Sequence, residues 1–262
     1  MLSMDRTDAV VIMAEVLGVN RAWIAANPMR ILTETQDAKI EALAAQRAMG
    51  RPVAYLLNRR EFYGRDFALD SSVLIPRPET ETLVEAALAR LTPRSSCLDL
   101  GTGSGAVAVT VACQRPELRV VATDVSAAAL RVARGNAERH HCAGRIEFLE
   151  GPWYEPVGGR TFDVILSNPP YVAANDPHLA RGDLRFEPRE ALTDGSADGL
   201  DSIRAIISGA SDHLEPGGWL LFEHGYDQAE AVRGLLEAAG FGSIVSLPDL
   251  AGIPRVAGGK IK

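Results

Sequence analysis

The sequence predicts an α/β fold. A mainly parallel sheet carries helices on both faces, and a small helical N-terminal domain and a β-hairpin linker precede it. Three observations predict this. From Ser95 onward, short apolar runs alternate with longer stretches of helical periodicity, the pattern of parallel strands joined by crossover helices. Before Gly50 the periodicity is helical throughout. Between them, from Val53 to Pro76, short apolar and aromatic runs are broken by turn residues. The domain limits that follow are 1–52, 53–76 and 77–262.

Val10, Val11, Met13, Ala14, Val16 and Leu17 make an apolar helix closed by Gly18. Asn20 is placed to cap a short helix over 21–24, which Asn27-Pro28 breaks. Thr33 or Thr35 caps a longer helix from about Gln36 to Met49, ended by Gly50 and Pro52. Val53–Leu57, Glu61–Gly64 and Asp66–Leu69 read as short strands. Pro78 suits the first turn of a helix running to about Leu91. Strands are then predicted at Cys97–Leu100, Arg119–Thr123, Ile146–Leu149, Phe162–Ser167, Trp219–Glu223 and Ser243–Leu247. Helices are predicted at Gly105–Cys113, Ala127–His140, Ser202–Leu214 and Ala229–Ala239.

The chain has 262 residues, enough for one large domain or one domain plus a small one. Its net charge of −7 argues against a protein whose main task is gripping phosphates, so no direct nucleic-acid partner is expected. Cys97, Cys113 and Cys142 form no C-x-x-C pair, and the five histidines show no ligand spacing, so neither a disulfide framework nor a metal is expected. No apolar run approaches ~18 residues and no signal-peptide pattern opens the chain. A monomer in the cytoplasm, with no membrane partner, is the simplest expectation.

Four strand ends carry chemistry. Asp99-Leu100-Gly101-Thr102-Gly103-Ser104-Gly105 is a glycine turn between a strand and a helix. Its spacing is G-x-G-x-G, not the G-x-G-x-x-G of dinucleotide sites, and Asp99 would repel a pyrophosphate. It suits a cationic, amino-bearing ligand, and S-adenosyl-L-methionine fits. A capped turn without ligand is the bland alternative. Asp124 ends the next strand, where an acid bonds ribose hydroxyls, although such an acid is often only a helix cap and Ser126 is also available to cap. Trp153 follows the third strand and could stack on adenine; an ordinary half-buried tryptophan is nearly as good an account. Ser167-Asn168-Pro169-Pro170-Tyr171 follows the fourth. Two prolines fix φ and press the residues before them toward extended backbone, giving a stiff shelf with one carboxamide and one ring. Such a shelf can grip a small planar group bearing N–H donors.

Together these motifs resemble the class I S-adenosylmethionine-dependent methyltransferases, with their Rossmann-like sheet. The order of further motifs narrows the resemblance. Arg59-Arg60-Glu61-Phe62-Tyr63-Gly64, Leu74-Ile75-Pro76-Arg77-Pro78-Glu79-Thr80-Glu81, the glycine turn, Asn168–Tyr171 and Arg185-Phe186-Glu187-Pro188 occur in one order behind a helical unit. This is similar to the HemK/PrmC family, the peptide chain release factor glutamine N5-methyltransferases. The likeness covers nearly the whole chain from about Asp8. It implies S-adenosyl-L-methionine as methyl donor, S-adenosyl-L-homocysteine as product, and the Gly-Gly-Gln glutamine of class 1 release factors as target. It also implies that the helical unit helps bind the release factor. The family often has an acid directly before Trp153, where this chain has Pro152, with Glu150 nearby. The N-terminus also reads as shorter than is usual in the family.

On this reading Arg77, Asp99, Gly101, Thr102, Gly103, Ser104, Gly105, Asp124, Trp153 and Asn168 line the cofactor site. Asn168, Pro169, Pro170 and Tyr171 hold the substrate amide, with Asn168, Pro169 and Tyr171 the catalytic set. Tyr171 is expected to pack on the amide plane. Arg77 could equally make a surface ion pair. The loop carrying Arg185–Pro188 is expected to help close the site. Rival readings are an adenine N6-methyltransferase acting on a flipped base, an RNA guanine methyltransferase, and a catalytically silent cofactor-binding subunit. The acidic charge speaks against the first two and the intact shelf against the third. An NAD oxidoreductase is disfavoured by the glycine spacing and Asp99.

Overall fold

A computed structural model describes residues 5–261. Three helices open the chain: α1 (Arg6–Leu17), α2 (Arg21–Ala26) and α3 (Glu34–Ala48). The cap residues act as their types dictate. Gly18 ends α1 at φ 66°, and the Asn20 side chain accepts from Trp23 N at 2.8 Å. Thr33 and Gln36 make a reciprocal capping box at α3. Ile12 alone is buried among the residues of these helices.

Val53–Leu56 is not a strand. It is a short helix, α4, started by Pro52, whose carbonyl accepts from Tyr55 N and Leu56 N. Ala54, Tyr55 and Leu56 are buried in succession, so the run lacks the alternation a half-buried strand needs. The hairpin that follows is β1 (Arg59–Phe62) and β2 (Arg65–Ala68). Tyr63 and Gly64, read above as strand, form its turn, both at positive φ (52° and 73°), as a tight two-residue hairpin requires. Pro78–Thr80 then makes a 3₁₀ turn into α5 (Glu81–Leu88).

The rest alternates: β3 (Ser96–Leu100), α6 (Ala106–Gln114), β4 (Arg119–Asp124), α7 (Ala127–Arg139), β5 (Ile146–Glu150), β6 (Phe162–Ser167), α8 (Asp201–His213), β7 (Leu214–Glu223), α9 (Ala229–Ala238), β8 (Gly242–Pro248) and β9 (Pro254–Lys260). The sheet order is β5-β4-β3-β6-β7-β9-β8, parallel from β5 to β7 and antiparallel for the last two pairings. Successive strand residues feed opposite faces, as the pleat demands. Cys97, Val164 and Leu166 join α5 and α6 in one core. Leu98, Leu100 and Ile165 join α8 and α9 in the other.

β9 escaped the sequence reading. Pro254, Gly258 and Gly259 make it look like a loop, yet it inserts between β7 and β8. A Cβ at Gly259 would lie 2.8 Å from Phe241 Cβ, and one at Gly258 would collide with Leu220 O. Those glycines mark close approach, not flexibility.

Candidate active site

β3, β4 and β6 deliver their C-terminal ends to one rim, where the strand order changes direction and open α/β sheets bind ligands. A cavity there is lined by Asp99, Gly101, Thr102, Gly103, Ser104, Asp124, Trp153, Asn168 and Pro170. Nine of the residues singled out from sequence thus meet in one place.

The glycine turn is held by backbone. Thr102 N donates to Thr123 O at 2.9 Å and Gly105 N to Thr102 O at 2.8 Å. Gly101 and Gly103 have φ of 69° and 55°, which only glycine adopts cheaply. Gly105 does not face the cavity. A Cβ there would press on Ala133 Cβ at 3.0 Å, so its task is to let α6 approach α7. Buried Asn136 of α7 donates to Ser104 O at 2.9 Å and to Ala68 O at 3.0 Å, tying turn and hairpin together.

Asp99 is 2% exposed. Thr102 Oγ1 donates to its Oδ2 at 2.6 Å and Ala108 N to the same oxygen at 3.2 Å. Among the described residues no hydrogen bond reaches Oδ1. Burial pushes its pKa up to about 7, against those two hydrogen bonds. Asp124 receives Gly103 N on Oδ2 at 2.8 Å and Ser126 N on Oδ1 at 2.9 Å. Burial raises it as well. Ser126 caps α7 through Ala129 N, which leaves Asp124 free of that duty.

Asn168 donates from Nδ2 to Thr80 Oγ1 at 3.1 Å. Thr80 Oγ1 donates to Glu223 Oε2 at 2.6 Å, and Tyr171 Oη donates to Glu223 Oε1 at 2.8 Å. Tyr171 does not line the cavity. Its hydroxyl is committed to Glu223 and its ring packs on the core of the α8–α9 face, so the expected stacking on an amide plane is not the arrangement found. Pro169 is buried under the shelf and also leaves the lining to Pro170. Arg77 lies outside it too, because it pairs with Glu187, a carboxylate wholly withdrawn from solvent that also accepts Ile75 N at 3.0 Å.

That pair anchors the loop after the shelf, which supplies Pro188, Glu190 and Ala191 to the cavity wall. At its far end the loop meets the helical unit. Arg47 donates to Asp8 Oδ2 and to Asp183 Oδ1, each at 2.7 Å, and Arg185 donates to Met49 O at 2.8 Å. Ser72, Val73, Leu74, Thr80 and Val125 are also among the lining residues. Val125, 63% exposed, could have been suspected from its place directly after Asp124 at the end of β4. Thr80 and Glu223 had no such signal.

The lining holds Asp99, Asp124 and Glu190 but no lysine, arginine or histidine. Such a donor set fits a cationic ligand without phosphates and opposes a pyrophosphate. It fits S-adenosyl-L-methionine, which carries a sulfonium and an ammonium and no phosphate. Glu150, beside the Pro152 that replaces an acid, is exposed and off the cavity. Among the described residues, no group of three or more His, Cys, Asp or Glu is placed to hold a metal, and no helix is long and apolar enough to cross a membrane.

Two protein families match the chain: a methyltransferase small domain over residues 78–183 and a PrmC N-terminal domain over residues 2–57. A release factor glutamine methyltransferase of Xylella fastidiosa is 49% identical, over 98% of this chain and 93% of the relative. One of Bordetella pertussis is 51% identical, over 98% and 95%. One of Neisseria gonorrhoeae is 54% identical, over 85% and 81%. Solved structures of similar fold include a methyltransferase of Pyrococcus furiosus (TM-score 0.56, 22% identity, 82% of this chain and 95% of that one). Another is the 16S rRNA N2 G1207 methyltransferase of T. thermophilus, in complex with AdoMet and guanosine (TM-score 0.56, 23% identity, 78% and 50%).

Proposed function

The chain belongs to the release factor glutamine methyltransferases, and from that premise we propose how its cleft methylates the side-chain amide nitrogen of a release-factor glutamine. When bound, S-adenosyl-L-methionine supplies a methyl group on a sulfonium sulfur and is left as the thioether S-adenosyl-L-homocysteine. Asp99, Gly101, Thr102, Gly103, Ser104, Asp124 and Trp153 hold that donor.

An amide nitrogen is a poor nucleophile because its lone pair is shared with the carbonyl. The residues of the shelf therefore act by position. Asn168 Oδ1 and the Pro169 carbonyl accept the two N–H bonds of the glutamine carboxamide. Those bonds lie in the amide plane, so holding both fixes the plane and aims the nitrogen lone pair along its normal, toward the donor. The same two acceptors favour the positive charge that grows on nitrogen as the N–C bond forms. The surplus N–H proton leaves to water. Tyr171 serves from behind, through Glu223. The target is the Gly-Gly-Gln glutamine of class 1 release factors, and α1–α3 take part in docking that protein. No direct nucleic-acid contact is needed and a monomer suffices.

The observation that carries this reading is that Asn168 lines the same cavity as Asp99 and Asp124. Asn168→Ala should slow methylation of release factor by about 10²–10³-fold, as loss of one charge-stabilising contact typically does. Cofactor affinity by calorimetry should stay nearly intact. Full activity, or equal loss of both, would sink the assigned role. Labelled donor offered with release factor, DNA or transfer RNA should mark a glutamine of the release factor alone.

A further inference from the structure

The Asn168 carboxamide can sit two ways, related by a half-turn about its last bond. Oxygen and nitrogen are close in size, so packing hardly tells them apart. Chemistry does. With Oδ1 toward the cavity the side chain accepts N–H bonds, and with Nδ2 there it opposes them.

Proton counting selects one of the two. Thr80 is 4% exposed and Glu223 1%. Thr80 has one hydroxyl proton, and its Oγ1 lies 2.6 Å from Glu223 Oε2 and 3.1 Å from the Asn168 amide. An ionised carboxylate only accepts, so the Thr80 proton belongs to Glu223. Thr80 then offers Asn168 nothing but lone pairs, and only Nδ2 can meet them. Tyr171 Oη donates to the other carboxylate oxygen, so both oxygens of Glu223 are engaged. Burial raises Glu223, while the Thr80 and Tyr171 hydrogen bonds and the charge of Arg255 offset part of that rise.

We infer that Thr80 and Glu223 are positioning residues that lock the Asn168 carboxamide with Oδ1 toward the substrate amide. The three residues come from separate segments: the 3₁₀ turn before α5, the end of β7 and the shelf after β6. No single local turn produces this alignment as a by-product. The inference rests on the reading of Asn168 as the substrate's acceptor.

Glu223→Gln tests the direction of the relay with little change in shape. Its Oε1 can still accept from Tyr171 while its Nε2 donates to Thr80. Thr80 must then give its own proton to Asn168, and every group is satisfied only with Oδ1 turned inward. Thr80→Val removes the hydroxyl and frees the carboxamide to turn. Thr80→Ser keeps the hydroxyl.

The experiment measures kcat for release-factor methylation at saturating substrates and cofactor Kd by calorimetry, for each variant alone and on Asn168→Ala. Thr80→Val and Glu223→Gln should each lose about tenfold or more in kcat, the scale of one misdirected buried hydrogen bond, with cofactor Kd changed by no more than about threefold. Retained Kd also certifies folding; if Thr80→Val fails to fold, Glu223→Gln decides. Thr80→Ser should recover most of the rate. On Asn168→Ala, neither change should cost anything further, because the lock acts only through that side chain. Rates within twofold of wild type for both variants overturn the inference, as does a Thr80→Ser variant as slow as Thr80→Val, or losses that multiply on Asn168→Ala. A slow Asn168→Ala with fast Thr80→Val and Glu223→Gln sinks the lock alone. A fully active Asn168→Ala sinks the role of Asn168 and the lock with it.

Discussion

Asp99 and Glu223 lie in the C-terminal ends of two strands of one sheet, and both are almost wholly withdrawn from water. At Glu223 each carboxylate oxygen has a hydroxyl donor, from Thr80 and from Tyr171. At Asp99 both hydrogen bonds fall on Oδ2, and among the described residues none reaches Oδ1. A buried acid whose oxygens are all engaged is internal framework. One with an oxygen left over, its pKa pushed up to about 7, lacks a counter-charge that a ligand can bring. On the proposed reading the cleft therefore has two halves: one that organises the protein's own amide, and one that takes a cation.

The largest expected effect on donor binding comes from removing that charge. Asp99→Asn should weaken binding of the methyl donor roughly 30- to 100-fold, the scale of a charge-assisted hydrogen bond, with kcat at saturation little changed. Glu223→Gln should do the reverse, so the pair of calorimetric titrations separates the halves. Similar Kd values for both variants would erase the distinction.

Acidity is the next lever. Cation binding needs ionised Asp99, so donor affinity should fall roughly tenfold for each pH unit below about 7, and Asp99→Asn should lack that limb. Stability of the ligand-free protein moves the other way. Asp99 is raised above its ordinary 3.8, so the folded state binds more protons than the unfolded one between 3.8 and about 7. The stability it contributes is full below 3.8 and is lost as pH rises through about 7. Thermal unfolding should therefore show a larger rise in Tm on adding donor at pH 8 than at pH 5.5.

The smallest effect tests what supports the open acid. Thr102→Val removes the 2.6 Å hydrogen bond to Asp99 Oδ2 and should push the carboxyl further up. Donor affinity at neutral pH should drop about three- to tenfold, the range of one such bond, and the acid limb should move to higher pH. An unshifted limb would mean that Thr102 serves the turn and not the charge.

That Asp99, the glycine turn, Asp124 and Trp153 meet at one cavity was legible in the sequence, because a glycine turn, an acid one strand later and a tryptophan one strand after that are local signals at fixed places in an α/β chain. The shelf was legible for the same reason. The lock behind it was not. Asn168 and Thr80 are 88 residues apart, and Thr80 and Glu223 are 143 apart. A threonine at a turn and a glutamate at a strand end carry no mark of meeting. Val53–Leu56 misled because its residue types favour strands while its burial is continuous. Tyr171 misled because an aromatic beside a binding shelf is readily taken for a ligand contact, whereas here the hydroxyl matters more than the ring face.

The placement of β9 bears on how a nascent chain survives synthesis. It is the last strand among the described residues, yet it sits between β7 and β8. Until residues 254–260 have emerged, β7 presents a bare edge flanked by buried Leu220 and Phe222, and β8 has no neighbour. A bare apolar edge is a template for another chain. At roughly 5–20 residues per second, translation leaves it open only briefly. A chain held with β7 emerged but residues 254–260 still covered would keep it open for as long as the hold lasts, with four parallel pairings able to form and the sealing strand still absent.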